Sequence, residues 1–155
     1  MSVPQIILAS SSPRRERILR DIGIRFIKCP ADIDESVLPG EKPDKYVRRM
    51  AEAKAKKIAN QKKYKPVLGA DTIVLIDGRI LGKPKNREQA LRYITLLSNR
   101  THSVLTSVAL VCSDRCESIV ARAEVTFRKI SKREAILYWE TGEPKDKAGG
   151  YGIQG

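Results

Sequence analysis

One segment constrains the fold more than any other: Val67-Leu68-Gly69-Ala70-Asp71-Thr72-Ile73-Val74-Leu75-Ile76, followed directly by Asp77-Gly78. An apolar run of this length, rich in β-branched residues, reads as a buried strand. Asp-Gly is a two-residue hairpin signal, because a type I′ turn needs positive φ at both central residues. Arg79 to Leu81 then reads as the return strand. The run carries one carboxylate, Asp71, which is costly in apolar surroundings unless paired, hydrogen-bonded or bound to metal. Either Asp71 sits at a strand end or bonds local backbone, or it is a catalytic or metal-binding carboxylate at the mouth of a cleft.

The rest of the chain alternates around this strand. Gln5 to Ala9 reads as a short buried strand, and Ser12-Pro13 as the N-cap and first position of a helix with Ile18, Leu19 and Ile22 on its apolar face. Gly23 marks the end of that helix, residues 24 to 29 a second strand, and residues 30 to 43 a proline-bearing loop. Asp44 to Gln61 has a stripe of Val47, Met50, Ala51, Ala55 and Ile58 at helical spacing. Asn86, with Gln89 three residues on, opens a helix that buries Leu91, Ile94 and Leu97. His102 to Cys112 and Glu117 to Ile130 read as strands joined at Ser113-Asp114. Ser131 to Glu134 is a capping box for a last helix ending near Gly142, and residues 143 to 155 read as a loop with four glycines. This order predicts an α/β or α+β domain on a mixed sheet. A chain of 155 residues suits a single domain spanning 1–155, split or not into two lobes.

Three further features break the apolar pattern. Lys54 falls on or beside the buried stripe of its helix. Its stem either lies along the core with the ammonium in water, or its charge is held inside for a purpose. Arg14 and Arg15 stand in the first turn of a helix, where the dipole favours negative charge. They are either solvated, or they hold an anion together with the free backbone N–H groups. The tail from Asp146 to Gly155 is glycine-rich, which suits either a flexible end or close backbone approach. The single histidine, His102, opens a strand and reads as structural.

A net charge of +12 suits either nucleic acid, a small polyanion or a solvated basic surface. The basic residues are spread along the chain and not interleaved with aromatics, which argues against a single-strand-binding surface. Cys29, Cys112 and Cys116 form no even framework and no zinc spacing, so reduced thiols are expected. Met1-Ser2-Val3-Pro4 does not open a signal peptide, and no apolar run approaches the roughly 20 residues of a membrane span. The expected location is the cytoplasm.

Taken together, Leu8-Ala9-Ser10-Ser11-Ser12-Pro13-Arg14-Arg15, Glu52-Ala53-Lys54-Ala55, Gly69-Ala70-Asp71-Thr72, Gly82-Lys83-Pro84 and Asp146 to Gly155 closely resemble the Maf family of nucleoside triphosphate pyrophosphatases in order and spacing. The resemblance implies a two-lobed α/β fold, with a curved mixed sheet flanked by helices and a central cleft, similar to inosine triphosphate pyrophosphatases. It implies hydrolysis of a nucleoside triphosphate to monophosphate and pyrophosphate with a divalent metal, Mg2+ or Mn2+. On this sequence Ser10, Arg14 and Arg15 would line the phosphate end, Lys54 and Lys83 would contact phosphates, and Gln154 would close the site. Glu35 and Asp71 would be the acidic pair, with Asp71 favoured as base and Glu35 as metal ligand, or the reverse. Arg14, Thr72 and Gln154 match the branch that prefers dTTP and UTP. Family members continue past the glutamine-glycine pair, and a segment of that kind is expected to be lacking here. The resemblance also carries a possible homodimer, and competing readings as a regulator of septum formation or an inactive nucleotide binder. Specific nucleic-acid binding is not expected.

Overall fold

A computed structural model describes residues 5–154. Residues 1–4, read above for a leader, and Gly155 of the glycine-rich tail lie outside them. The elements are β1 (Ile6–Leu8), α1 (Pro13–Asp21), β2 (Phe26–Lys28), α2 (Pro43–Gln61), β3 (Val67–Ile76), β4 (Arg79–Leu81), α3 (Arg87–Leu97), β5 (Thr101–Cys112), β6 (Arg115–Thr126) and α4 (Lys132–Glu140). The sheet runs in the order β2-β1-β3-β5-β6, with β4 paired to β3. It is mixed, as expected. β1 pairs in parallel with β2 (Ile6 opposite Phe26) and with β3 (Ile7 opposite Val67), while β3 and β4 are antiparallel, with Val74 opposite Leu81. The Asp77-Gly78 turn has positive φ at both residues, 49° and 71°, as its sequence predicts.

The chain divides into two compact units, with boundaries inside three strands: after Asp71 in β3, after Leu105 in β5 and after Ala121 in β6. In the first unit the core joins Ile7 of β1 and Ala9 just after it, Ala51, Ala55 and Ile58 of α2, Val67 of β3, and Ala109 and Val111 of β5. One close approach organises it. A Cβ on Gly69 would stand 2.2 Å from the Ala51 carbonyl oxygen and 2.8 Å from the Ala55 nitrogen. Glycine facing two alanines lets the backbones of β3 and α2 nearly touch. The second unit packs Val74, Ile76, Leu81 and Leu97 together, with Phe127, Ala148 and Tyr151 against them.

Several expectations are corrected. Of the apolar face predicted for α1, only Leu19 is buried; Ile18 and Ile22 are 57% and 62% exposed. With just nine residues, α1 has one buried position to offer the sheet rather than a full stripe. The strand predicted over Glu117 to Ile130 runs from Arg115 to Thr126 instead, because the hairpin turn at Ser113, with φ 54°, brings Arg115 straight into pairing. At α3 the Asn86 side chain caps Gln89, but the Gln89 amide accepts from Lys85 N–H rather than from the cap itself, so the box is displaced by one residue. The capping box at Ser131 is complete. The tail is no open loop: it forms 3-10 turns at Glu143–Asp146 and Ala148–Gly150, with Gly149 and Gly150 buried. No helix among the described residues is long and apolar enough to cross a membrane.

Candidate active site

In the first unit the turn from β1 into α1 is built on Ser10. Its hydroxyl, only 5% exposed, accepts from the Ser12 N–H at 3.2 Å and from Arg15 Nη1 at 3.1 Å. Ser12 is the N-cap of α1, yet its side chain makes no cap bond; the serine turn is folded around Ser10 instead. Arg15 Nη1 also donates to the Ala70 carbonyl at 3.1 Å, which ties the start of α1 to β3 one residue before Asp71. Burial lowers the Arg15 pKa, and the nearby Asp71 charge works against that shift. The two arginines therefore differ: Arg14 is exposed, while Arg15 is drawn inward. A solvated pair describes Arg14 alone.

Lys54 stands one turn beyond Met50 on α2, and the contact at Gly69 brings that helix against β3. Its ammonium lies 2.9 Å from Asp71 Oδ1 and 2.8 Å from Glu35 Oε1. The Lys54 and Asp71 side chains are 11% and 14% exposed, and Glu35 is 57% exposed. Asp71 is therefore no strand-end residue bonding local backbone; it is a nearly buried carboxylate facing opposite charge. Burial raises its pKa, and Lys54, followed by Arg15, opposes the rise. The two carboxylates meet on one cation.

Glu35 lies in a loop without regular structure, and α2 holds that loop in place. The Tyr46 hydroxyl donates to the Glu35 carbonyl at 2.6 Å. Arg49 Nη2 donates to the Ser36 carbonyl at 2.9 Å and also grips Glu41, and Lys57 bonds the Asp32 carbonyl. Tyr46 is buried, and its hydroxyl pKa is pushed up to about 12 by burial and then by the Asp71 and Glu35 charges. Sequence reasoning missed Tyr46 and Arg49. The signal for Tyr46 was present: Tyr46, Met50 and Lys54 follow one another at intervals of four along α2.

In the first unit Ser10 thus contacts Arg15, and Lys54 contacts Asp71 and Glu35, the two groups being linked where Arg15 bonds the Ala70 carbonyl next to Asp71; Arg14 is exposed on the first turn of α1. The other predicted residues belong to the second unit. Thr72 is half-buried next along β3, Lys83 is exposed in the loop after β4, and Gln154 is exposed at the end of the tail. That loop and the tail touch: Gly149 N–H donates to the Gly82 carbonyl at 3.0 Å. Chemically, the first-unit cluster places two inward cations and two carboxylates beside a helix N-terminus, a combination suited to a polyanion and a hard cation together.

The chain matches the family described as Maf-like protein over residues 5–155. It is 46% identical over 154 residues to a dTTP/UTP pyrophosphatase of Pseudoalteromonas atlantica, an alignment covering 97% of this chain and 80% of that one. It is 48% identical over 153 residues to a dTTP/UTP pyrophosphatase of Symbiobacterium thermophilum, covering 97% and 78% of the two chains. Among solved structures, a HAM1 protein from Coxiella burnetii superposes with a TM-score of 0.53 at 19% identity, over 97% of this chain and 88% of that one, which is a likeness of fold. With the motif residues of β1, α1, α2 and β3 in contact and the match running from Gln5 to the last residue, the chain belongs to the Maf family.

Proposed function

We propose that this protein hydrolyses nucleoside triphosphates, dTTP and UTP foremost, to the monophosphate and pyrophosphate, removing unwanted nucleotides from the pool. The observation that carries the reading is the Lys54 ammonium set between Asp71 and Glu35, beside Arg15 and the N-terminus of α1. Relatives named dTTP/UTP pyrophosphatase at 44–48% identity support the substrate class. The catalytic domain is taken as the whole chain.

The roles follow from the chemistry of each group. A triphosphate is a dense anion, and hydrolysis at the α-phosphorus moves negative charge onto the leaving pyrophosphate. Arg14, exposed at the start of α1, meets the phosphates as they arrive. Arg15 and Ser10 fix the turn at the N-terminus of α1, the end of a helix that favours phosphate. Lys54 carries three donors, two of which serve the carboxylates; nucleotide binding shifts its ammonium towards phosphate. Asp71, its pKa raised by burial, is the base that orients and deprotonates the attacking water. Lys83 is read as a phosphate contact, and Thr72 and Gln154 as residues of substrate choice.

The residues fit a divalent cation. Glu35 and Asp71 converge on a single positive charge, and Mg2+ is commonly held by one or two carboxylates plus substrate phosphates. Glu35 and Asp71 would hold it, and when bound it neutralises charge on the leaving pyrophosphate. Full turnover in excess chelator would exclude this part of the reading.

The deciding experiment is pyrophosphate release from a panel of ribo- and deoxynucleoside triphosphates with Mg2+ or Mn2+. Release strongest with dTTP and UTP is expected. No release from any of them would overturn the reading, and equal release from purine and pyrimidine nucleotides would remove its specificity.

A further inference from the structure

The second unit holds its only histidine in a way the hydrolytic reading does not use. His102 is 2% exposed. Its ring is edge-on to Phe127 and Tyr151, with centroids 5.1 Å and 5.4 Å away, and those two rings stand 4.7 Å apart. His102 Nε2 lies 2.5 Å from the Tyr151 hydroxyl oxygen, while Nδ1 is buried with no hydrogen-bond partner among the described residues. For stability alone an apolar side chain would serve better there, since a buried unpaired nitrogen is costly. What histidine adds is direction: a hydrogen bond fixes where the Tyr151 ring points, which apolar contact alone does not.

Tyr151 in turn anchors a weak stretch of backbone. The turn before it, Ala148–Gly150, has three residues, and both its glycines take positive φ, 70° and 73°. Such a stretch has little order of its own. Its contacts lead to one place. Gly149 N–H donates to the Gly82 carbonyl at 3.0 Å. A Cβ on Gly150 would touch Pro84 Cγ at 3.6 Å. Gly82 and Pro84 are the two neighbours of Lys83. On the far side of Tyr151, Gly152 N–H donates to the Tyr138 hydroxyl at 2.9 Å.

We propose that His102 and Tyr151 form a buried latch that seats the Gly149-Gly150 turn on the Gly82-Lys83-Pro84 loop and so positions Lys83 for its phosphate. This rests on the reading of Lys83 as a phosphate contact. Both are positioning residues; neither touches the nucleotide.

The test uses the whole chain with Tyr151→Phe, which keeps all three rings, and His102→Leu, which removes the polar atoms. His102→Gln serves as the conservative rescue. Each is made alone and with Lys83→Met. Two quantities are read: amide hydrogen exchange at Gly149, and kcat and KM for dTTP. Loss of one neutral hydrogen bond corresponds to on the order of 5-fold. Tyr151→Phe and His102→Leu should speed exchange at Gly149 by about that factor and lower kcat/KM similarly, chiefly through KM, with His102→Gln recovering part of both. In the Lys83→Met background the kinetic effect should vanish, because the latch acts through Lys83. Unchanged exchange at Gly149 in Tyr151→Phe overturns the latch, and so does a kinetic loss that multiplies at full size with Lys83→Met. If His102→Leu does not fold, Tyr151→Phe decides. If the wild-type chain releases no pyrophosphate from any triphosphate, the functional reading fails separately, and exchange at Gly149 still tests the seating of the loop.

Discussion

Asp71 and His102 are both ionisable groups set among apolar neighbours, and the two units treat them differently. Asp71 is surrounded by charge: Lys54 at 2.9 Å, Arg15 bonded to the preceding carbonyl, and Glu35 on the same ammonium. His102 has rings on two sides, one hydroxyl contact and an unpaired nitrogen. Burial disfavours the charged form of both, raising the pKa of the acid and lowering that of the base. The difference lies in compensation. The first unit keeps opposite charges in balance, ready to be redistributed when a charged ligand enters. The second keeps its titratable group neutral and uses it to hold shape.

Asp71→Asn is the sharpest way to break that comparison. Turnover should fall by on the order of 10²–10⁴, the usual effect of losing a general base. Stability should hold or rise, because the ionised carboxylate is disfavoured by its own burial and Lys54 retains Glu35. Nucleotide affinity should survive better than rate. A lowered melting temperature with unchanged turnover per folded molecule would make Asp71 a structural residue and end the contrast.

Two glycine substitutions test the units by packing. In Gly69→Ala the new Cβ would meet backbone, the Ala51 carbonyl oxygen at 2.2 Å, which can move only if α2 shifts as a whole. A loss of about 1–3 kcal/mol or more is expected. Activity should drop with it, since the shift carries Lys54 away from Asp71. In Gly149→Ala the Cβ would meet the Val74 side chain at 2.7 Å, at a φ of 70°. Val74 is buried and β-branched, with its Cβ at 3.1 Å and its other methyl at 3.3 Å, so no rotamer clears the site and the short turn must shift instead. A three-residue turn yields more easily than a whole helix, so the loss should be smaller, on the order of 1–2 kcal/mol, and should appear in KM. Denaturant unfolding alongside kinetics ranks the two; the reverse order would mean that the contact between α2 and β3 is not the tighter one.

The pH dependence of stability should carry opposite signs in the two regions. The folded-state pKa of His102 lies below its ordinary value of 6.5. The unfolded chain therefore binds a proton first, and stability declines as pH falls through 6.5 towards the folded pKa. Glu124 on β6, itself bonded to Ser103 and Arg122, opposes the shift, and the Tyr151 hydroxyl stays neutral across this range, its pKa pushed up to about 12. For Asp71 the folded pKa is raised above 3.8, so its contribution is lost as pH rises through that region. Chemical denaturation between pH 5 and 8 should show a shallow decline on the acid side that His102→Gln removes and Asp71→Asn leaves in place. A slope unaltered by His102→Gln would refute the buried-neutral assignment.

Much of this was legible in the sequence. β3, its Asp-Gly turn and the stripe of α2 could be read because hydrophobic period and turn chemistry are local signals. Asp71 and Lys54 stood out because each violates its own element's pattern. Their meeting point did not stand out: it depends on Gly69 facing Ala51 and Ala55, a long-range contact that no local rule reports. Glu35 was named only through family resemblance, since its loop has no period, and the residues that hold it, Tyr46 and Arg49, were missed because their bonds to that loop are tertiary contacts. The tail misled for a related reason. Glycine-rich composition is the same for a loose end and for a backbone packed against Val74 and Gly82.

The smallest effect is predicted where the sequence misread α1. Ile18, Leu19 and Ile22 have the spacing of a buried face, and burial of all three would make each a core residue. The fold buries only Leu19, at 5% exposure, leaving Ile18 at 57%. Leu19→Ala should therefore remove about 2–5 kcal/mol, the range for emptying a packed site. Ile18→Gln should stay within about 0.5 kcal/mol, as exposed substitutions usually do. It should also leave pyrophosphate release unchanged, since Ile18 takes no part in the hydrogen bonds that hold Ser10 and Arg15 at the phosphate end. Paired melting curves measure the gap between the two substitutions directly. A gap of more than about 1.5 kcal/mol supports one-sided burial of α1, whereas equal losses would mean that Ile18 packs against something in solution and that the helix presents the wider face its sequence first suggested.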